Sequence, residues 1–293
     1  WKADSRADQI LTMDAEIIGL QEIFEEDALR RVVAEADARG LAANEATLPA
    51  SPQRYARKAV VRKLAYDPYT DAALAFASNV NDGGPGERRP GLAILSRLGF
   101  AEAPVVIQDV LPVLDIPMVQ LGGADGGHYR ISRLSRPILK ARVPVGGQVV
   151  TLFNCHLKSK LGEFVRPEGA AFAPEADLTA NDPAGRAMGV LRAALRRLAE
   201  AWVLRREILA ELDKGHPVIV LGDFNDGEHA VSSEIIAGER PFKNYSWMRR
   251  HDAQRASERY SKEENEQITE AVDRVRLHSA EKLFVRRSLR DMV

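Results

Sequence analysis

The sequence predicts an α/β protein built around a strand that ends in clustered polar residues. Residues 217–221 read Pro-Val-Ile-Val-Leu, which is typical of a buried strand, and residues 222–226 follow as Gly-Asp-Phe-Asn-Asp. The apolar periodicity over residues 182–214 indicates a long amphipathic helix. A Gly-Gly pair at 146–147 separates two strand-like runs and predicts a hairpin. Because open α/β sheets present binding groups at strand ends, we expect a functional site beyond residue 221.

Composition limits the classes of function. The chain has 293 residues, 45% hydrophobic and 28% charged, as in ordinary globular proteins. Its net charge of -1 argues against electrostatic binding of nucleic acid by the whole protein surface, but is compatible with a local basic patch. Every apolar run is shorter than the roughly 20 residues of a membrane-spanning helix. The single cysteine, Cys155, is expected in the core and fits a reducing compartment, which favours a cytoplasmic location. Because the chain starts at Trp1, we expect the natural N-terminus to lie upstream.

The N-terminal part of the chain predicts alternating helices and strands. The predicted elements are a helix over 4–13, a strand over 17–20, a helix over 25–39, a weak strand over 58–64 and a strand over 91–97. Glu22 falls just past the first strand. Acidic residues 25–27 suit a helix N-terminus, and Gly40 suits its end. Turn-rich composition predicts loops over 41–56 and 79–90.

The C-terminal part predicts a hairpin followed by helices. The predicted elements are one or two strands over 105–114, a turn over 122–127, hairpin strands over 136–145 and 148–156, the helix over 182–214, the strand described above and a short helix over 230–237. One face of the long helix is expected to be buried, with Leu191, Leu195, Leu198, Trp202, Leu209 and Leu212. Its arginines are expected on a solvated face: Arg192, Arg196, Arg197, Arg205 and Arg206.

Three predicted strands end in polar side chains. The polar side chains at the three strand ends are Glu22, the pair Asn154 and His156, and the pair Asp223 and Asn225. Each has an ordinary explanation, because Asp and Asn form turns and cap helices and an acid suits the first turn of a helix. Together they supply oxygen ligands and an imidazole, which suits Mg²⁺. Cys/His spacing for zinc and a GxSxG nucleophile motif are both missing from the sequence.

Four short motifs follow one another between residues 15 and 226. They are Ile-Ile-Gly-Leu-Gln-Glu22, Gly91-Leu-Ala-Ile-Leu-Ser-Arg97, Asn154-Cys-His-Leu-Lys-Ser and Gly222-Asp-Phe-Asn-Asp226. In content and order they resemble the successive motifs of the endonuclease/exonuclease/phosphatase superfamily, the DNase I-like fold. The resemblance implies a four-layer α/β/β/α sandwich of two packed mixed sheets. It also implies metal-dependent hydrolysis of phosphate esters.

The same resemblance implies roles for individual residues. Glu22 would bind Mg²⁺, with Mn²⁺ as an alternative ion. His156 would hydrogen-bond a non-bridging phosphate oxygen. Asp223 would orient or activate the attacking water, and Asn225 would hold that site and the phosphate. The implied substrate-binding residues are Asn154, Lys158 and Arg97. The chemistry is reasonable because a cation and an imidazole donor neutralise charge that develops on the phosphate oxygens.

Two features of the family have no counterpart in this sequence. The family begins with a strand that carries an Asn near the metal, whereas this chain begins at the helix that follows it. The family ends with a strand that carries an Asp-His pair. His278 has no paired Asp before it, and His251 precedes its Asp, so neither fits that place. We therefore expect the sequence to be part of a longer protein.

Three functions stay open at this point. The first is a phosphodiesterase, most simply a nuclease, in which Lys158, Lys160 and Arg166 grip a phosphate backbone. The second is a phosphomonoesterase or a phospholipid or sphingomyelin hydrolase, because substrate-facing loops decide between these substrates. The third is a non-catalytic binding module. In each case we expect one domain over residues 1–293, with a charged helical elaboration at about 240–290 and no predicted oligomeric state.

Overall fold

The computed structural model describes residues 2–47, 65–69, 73–80, 88–119, 125–164, 173–179, 182–238 and 260–280. The chain passes back and forth between two compact units. The first unit comprises Trp1–Gln108, Arg136–His156 and His216–Asp223. The second comprises Asp109–Ser135, Leu157–Gly215 and Phe224–Val293. The expectation of one domain over residues 1–293 stays a prediction.

The described residues contain helices and strands in mixed order. They are α1 (Lys2–Met13), β1 (Ile17–Ile23), α2 (Glu26–Thr47), β2 (Ala73–Val80), β3 (Arg88–Ser96), β4 (Val105–Val119), β5 (Asp125–Val145), β6 (Gln148–His156), a 3₁₀ turn (Pro174–Ala176), α3 (Pro183–Leu212), β7 (Val218–Asp223), α4 (Val231–Ala237) and α5 (Lys262–Arg274). In this part of the chain no helix combines the length and the hydropathy needed to cross a membrane.

The strands form two sheets. One has the order β1-β3-β2 and is antiparallel throughout. The other has the order β4-β5-β6-β7, in which β5 and β6 are antiparallel and β6 and β7 are parallel. The predicted hairpin is confirmed, because Val145 pairs with Gln148 across Gly146 and Gly147. Both glycines have positive φ, 56° and 83°, as a two-residue type I′ turn requires.

Two apolar clusters hold the first unit together. Strand β3 contributes to both, because its side chains alternate between the two faces of the sheet. Ala93 and Leu95 join the cluster shared with α1 and α2, whereas Leu92 and Ile94 join the cluster between the two sheets. The partners from the second sheet are Leu139, Ala141, Val143, Val150 and Leu152. The predicted α/β class, with two packed sheets and helices, is confirmed.

Helix α3 is the principal element of the second unit, where it packs against α4. Its predicted start is confirmed, because Asp182 caps the helix by accepting a hydrogen bond from the Gly185 N–H and Pro183 is the first helical residue. The predicted solvated arginine face is wrong for Arg192 and Arg197. Both are buried, because acidic side chains pair with them, whereas Leu191 is 49% exposed.

Several local predictions are also wrong. Helix α2 does not end at Gly40 but continues to Thr47, and the ring of Tyr66 packs where a side chain at Gly40 would lie. Strand β2 is an element that the sequence did not predict. Strand β7 is less buried than its composition suggests, with Ile219 50% exposed, because it is the last strand of the described sheet. Glu22 lies within β1 and not beyond its end.

Some predictions fall on residues that the structure does not describe. The weak strand over 58–64 lies outside the described residues, as does Arg166. Part of the charged segment over 248–289 is described and contains α5, whose start carries a capping box formed by Ser261 and Glu264.

Candidate active site

His156 and Asp223 lie side by side at one edge of the second sheet, within the first unit. Strands β6 and β7 are parallel and in register, so the last residue of each strand is paired with the other. The Nε2 atom of His156 is 3.7 Å from Oδ2 of Asp223. This distance is too long for a hydrogen bond but short enough for the carboxylate charge to influence the imidazole. The parallel pairing therefore accounts for the adjacency of these two groups.

Glu22 lies at an irregular point of β1 in the same unit. The pairing of β1 with β3 shifts between Gln21 and Ile23, which is the signature of a β-bulge. Glu22 has a φ of 59°, which a residue with a side chain adopts at some energetic cost. Its exposed side chain lines a cavity of about 720 Å³ bounded by α1, β1 and α2. The bulge thus directs a carboxylate away from the regular pleat of the strand.

The imidazole of His156 is almost completely enclosed, with only 4% of the side chain exposed. Its Nδ1 atom is buried and makes no hydrogen bond. Burial lowers the pKa of His156, and the positive charge of Arg136 lowers it further, while the carboxylates of Asp223 and Glu22 oppose this effect. Because the net pKa shift is downward, we infer a neutral imidazole at pH 7.

Two glycines permit the close approach of the strands around this site. Gly222 has a φ of 134°, and a Cβ atom there would lie 1.9 Å from the carbonyl oxygen of Cys155. A Cβ atom at Gly19 in β1 would lie 1.9 Å from a methyl group of Leu221. The backbone contact and the positive φ require glycine at position 222, whereas a side chain at position 19 would force the Leu221 side chain to move. Cys155 itself is buried and free, as predicted.

Asn154 is fully buried and connects the two sheets. Its amide nitrogen donates hydrogen bonds to the carbonyl oxygens of Leu20 (3.0 Å) and Ala93 (2.9 Å). Its amide oxygen accepts a hydrogen bond of 2.7 Å from Gln21. Because both ends of the side chain are engaged inside the protein, we do not retain Asn154 as a substrate-binding residue. It fixes β6 against β1, and thereby fixes His156 two residues further on.

Arg97 lies at the opposite end of the first sheet from Glu22. Ile17 pairs with Ser96 and Ile23 with Gly91, so Arg97 is beside the start of β1, about 15–20 Å along the strand from Glu22. Its side chain is 5% exposed, pairs with Asp14 at 2.8 Å and stacks on the ring of Tyr69. The structure therefore does not bring Arg97 to the site, and we do not retain it as a substrate-binding residue.

The remaining predicted residues belong to the second unit. Asn225 has a φ of 51°, and its amide nitrogen donates a 2.8 Å hydrogen bond to the carbonyl oxygen of Leu157. Lys158 donates from Nζ to the carbonyl oxygens of Leu161 (2.8 Å) and Ser159 (3.4 Å). Both side chains therefore take part in local structure in the segments that follow His156 and Asp223 in the sequence.

Sequence reasoning missed Asp226 as part of a charged cluster in the second unit. Its carboxylate pairs with Arg197 (3.1 Å) and Lys160 (3.0 Å) and accepts a hydrogen bond from Ser232 (2.7 Å). Burial raises the pKa of Asp226, but the hydrogen bonds from Ser232, Lys160 and Arg197 outweigh it and lower the pKa to about 2. The sequence analysis placed Asp226 at the end of the fourth motif without a role, and no local pattern predicts its pairing with Arg197 and Lys160.

Arg136 is a second residue of the site that the sequence analysis missed, although the hairpin pattern predicts its position. The hairpin register pairs Leu139 with Asn154, and continuing it by two residues places Pro137 opposite His156. Arg136 therefore comes next to the imidazole whose pKa it lowers. Once the Gly-Gly turn is assigned, counting residues from it along both strands predicts this neighbour.

The donor set at this edge fits one kind of metal ion better than another. Among the described residues, no group of three or more His, Cys, Asp or Glu side chains is arranged to hold a metal. Zinc sites need three or four protein ligands, so these residues do not fit zinc. Mg²⁺ keeps several waters and is commonly held by one or two carboxylates together with substrate phosphate. An exposed carboxylate such as Glu22 fits that mode of binding.

The chain is therefore of the α/β class and has two packed sheets. Carboxylates and an imidazole form a polar site at the strand ends of its first unit. The chain belongs to the Endonuclease/Exonuclease/phosphatase family, whose sequence model matches residues 6–253. The predicted family is thereby confirmed. A search of curated proteins gives no match.

Three solved structures are similar to this chain. Truncated TDP2 from Caenorhabditis elegans is 15% identical, with a TM-score of 0.36, and the alignment covers 78% of this chain and 56% of that one. Sphingomyelinase C from Streptomyces griseocarneus is 16% identical, with a TM-score of 0.37 and coverages of 80% and 62%. Mannosyl-6-phosphatase from Bacteroides thetaiotaomicron is 15% identical, with a TM-score of 0.34 and coverages of 80% and 60%. The chain spans less than two thirds of each of these structures.

Proposed function

We propose that this protein hydrolyses phosphate esters with the help of Mg²⁺, and that its substrate is a phosphodiester. The observation that carries the proposal is the strand edge of the first unit, where a neutral buried imidazole lies 3.7 Å from the carboxylate of Asp223 and within the electrostatic influence of Glu22. Membership of the Endonuclease/Exonuclease/phosphatase family supports the same class of reaction.

We assign the proton transfer to Asp223. Water attacks phosphorus in line with the leaving oxygen, and the Asp223 carboxylate accepts the proton of the attacking water. The P–O bond to the leaving oxygen breaks with its electron pair on that oxygen, which takes a proton from solvent. Its side chain is 54% exposed, so water reaches it. A positioned general base of this kind contributes a factor of roughly 10²–10⁴ to the rate.

We assign binding of the phosphate to His156. A neutral imidazole carries one N–H, which donates to a non-bridging oxygen and stabilises the charge that develops there. Enclosure fixes the ring, so little reorganisation accompanies the reaction. Asn225, two residues after Asp223 in the sequence, is held within the second unit by its hydrogen bond to Leu157, and its contact with the phosphate stays a prediction.

Glu22 would hold the metal ion. When bound, Mg²⁺ would act as a Lewis acid that neutralises charge on the phosphate oxygens. The exposed position of Glu22 on a bulge supports this role, because an ion that retains several waters needs access to solvent.

The balance of charges at the strand edge supports a phosphodiester over a phosphomonoester. Within the first unit, the charged side chains that change the pKa of His156 are Glu22, Asp223 and Arg136, and the further charges of Arg6 and Glu25, which line the same cavity as Glu22, cancel. Their formal charges leave one net negative charge, which one divalent cation would convert to one net positive charge. A phosphodiester carries a single negative charge at pH 7 and matches this value, whereas a monoester dianion does not.

The proposal is tested by assaying the chain with a chromogenic phosphodiester and the matching monoester, with Mg²⁺ and with EDTA. We expect Mg²⁺-dependent turnover of the diester and a loss of about 100-fold or more in kcat/KM for Glu22→Gln and Asp223→Asn. His156→Gln should cost about 10–100-fold. Glu102→Gln, which removes a surface acid paired with Arg142 in the same unit, is the matched control and should change kcat/KM less than twofold.

Each alternative function predicts a different result. Preferential turnover of the monoester would overturn the assignment to phosphodiesters and favour a phosphatase. Turnover of sphingomyelin or phosphatidylcholine, but not of DNA or RNA, would identify a lipid phosphodiester as the substrate. Absence of Mg²⁺-dependent turnover of any of these compounds would overturn the proposed enzyme, and retained Mg²⁺ binding without turnover would favour a binding module.

A further inference from the structure

Helix α3 carries two buried charged side chains, one helical turn apart, that hold the chain segments of the second unit. Glu200 is 1% exposed and Arg197 is 8% exposed. A buried charge is costly unless it is paired or hydrogen-bonded, so both positions need an explanation beyond helix packing. Neither residue belongs to the apolar face that the periodicity of the helix predicts.

Glu200 binds two backbone N–H groups that are far apart in the sequence. One carboxylate oxygen accepts a 2.6 Å hydrogen bond from the Lys158 N–H, and the other accepts a 2.7 Å hydrogen bond from the Ser135 N–H. Lys158 is two residues after His156, and Ser135 directly precedes Arg136. Glu200 thus fixes the segments that continue into the imidazole and into the guanidinium that lowers its pKa.

Arg197 completes the arrangement on the same face of α3. Its Nη1 donates to the carbonyl oxygen of Lys158 (3.2 Å), and its Nε pairs with the carboxylate of Asp226 (3.1 Å). Asp226 is three residues after Asp223. Lys158 is therefore held at both its N–H and its carbonyl oxygen, and the segment after Asp223 is held by the same guanidinium.

We propose that Arg197 and Glu200 are positioning residues for the reaction described above, acting through the segments that follow His156 and Asp223. This inference rests on the proposed function. Neither side chain contacts the substrate or the metal ligand. Together they hold the exit of β6, the exit of β7 and the residue that precedes Arg136, so that the reacting groups keep one geometry. A misplacement of about 1 Å in such a site costs roughly 100-fold in rate.

Two substitutions release these contacts with little change in size. Glu200→Gln keeps the shape but turns an amide N–H₂ toward one of the two backbone N–H donors, so one hydrogen bond is lost. Arg197→Lys keeps the charge, but an ammonium group does not reproduce the fork that reaches Lys158 and Asp226 together. Arg206→Lys is the matched control, because Arg206 is an exposed residue further along α3, where its guanidinium lies over the ring of Trp202.

The experiment measures kcat and KM of the full chain on the chromogenic phosphodiester, with amide hydrogen exchange at Lys158 as a second readout. We expect kcat to fall about 10–100-fold in both variants while KM changes less than about threefold. Exchange at Lys158 should become faster in both variants. A merely structural role would lower the amount of folded protein without changing kcat per folded molecule, and thermal unfolding provides that correction.

The possible outcomes are distinguishable. If the wild-type chain is active and both variants keep full kcat despite faster exchange at Lys158, the positioning role is wrong although the proposed function stands. If Glu200→Gln does not fold, Arg197→Lys alone decides by the same criterion. If the wild-type chain is inactive on every phosphate ester, the proposed function fails, and the positioning role fails with it whatever the exchange rates show.

Discussion

The two units fix their functional side chains by different physical means. In the first unit, His156 and Asp223 end neighbouring strands of a sheet that packs through an apolar cluster, and the buried polar link at this strand edge is the neutral side chain of Asn154, whereas the buried pair of Arg97 and Asp14 lies at the other end of β1. In the second unit, charged side chains of α3 hold the loops, with Arg192 and Arg197 in buried ion pairs. The strand edge should therefore respond to lost hydrogen bonds, and the loops to changes of charge.

The composition of α3 explains why the second unit relies on charges. Its buried face carries several alanines, among them Ala193, Ala199 and Ala201, which present little apolar surface. The aliphatic stems of Arg192 and Arg197 supply apolar contact beside them, while their guanidinium groups reach the carboxylates of neighbouring segments. Such contacts specify a geometry but depend on both partners being present.

The largest effect should come from the neutral link in the first unit. Asn154→Ala removes three hydrogen bonds and leaves the buried carbonyl oxygens of Leu20 and Ala93 without these donors. We expect the free energy of unfolding to fall by about 4 kcal/mol, because each buried polar group left unsatisfied costs about 1–3 kcal/mol. Urea unfolding measures this as a lower midpoint at an unchanged m value.

Gln148→Ala is the matched control for that experiment. Gln148 is an exposed residue at the start of the same strand, so its truncation should change the free energy of unfolding by less than about 0.5 kcal/mol. A loss below about 1 kcal/mol for Asn154→Ala would show that the link between the sheets is not what fixes β6. The strand edge of the first unit would then not depend on the hydrogen bonds of Asn154.

The contrast between the units also explains how much the sequence could predict. Local patterns were sufficient for the hairpin at Gly146 and Gly147, for the cap at Asp182 and for the polar ends of β6 and β7, because these features depend on neighbouring residues. The pairing of β6 with β7 then brings His156 beside Asp223. These parts of the fold and the candidate site follow from short-range rules.

The missed features depend on partners that are distant in the sequence. The carbonyl oxygens that Asn154 binds belong to residues 134 and 61 positions away, so an apparent substrate ligand is in fact a link between strands. Arg192 falls on the polar stripe of α3 by periodicity alone, but Glu175 in a separate turn makes its burial possible. Without tertiary contacts, a pattern of charges reads as a solvated surface.

The second-largest effect should come from breaking one partner of a buried ion pair. Arg192→Met leaves Glu175 without the guanidinium that it binds at 2.6 and 2.9 Å. We expect a loss of about 2–3 kcal/mol, less than for a fully enclosed pair because Glu175 is 24% exposed. The double variant Arg192→Met with Glu175→Met should lose less than the single variant, since it leaves no unpaired charge. Urea unfolding of the wild-type chain, of Arg192→Met and Glu175→Met separately, and of the double variant closes a double-mutant cycle.

An exposed pair in the first unit provides the reference for that cycle. Arg30 and Glu26 are paired on the surface of α2, and Arg30→Met should cost no more than about 0.5 kcal/mol. If the double variant at Arg192 and Glu175 is less stable than the single variant, removing the leftover carboxylate recovers nothing, and the cost of an unpaired charge is then not the reason for the loss.

The smallest predicted effect is on the acid side of the stability curve and concerns Asp226. Its folded pKa of about 2 lies below the ordinary value of 3.8. Below pH 4 the unfolded chain therefore binds more protons than the folded protein. The stabilisation by this carboxylate is complete above about pH 4 and is lost as the pH falls toward 2.

Asp226→Asn should remove about 2 kcal/mol of the wild-type change in unfolding free energy over that interval. Ser232→Ala, which removes one hydrogen bond to the carboxylate, should give an intermediate slope. Urea unfolding at successive pH values gives the free energy of unfolding of the wild-type chain and of both variants. If the three curves are parallel between pH 4 and 2, the cluster around Arg197 does not hold Asp226 in its charged form.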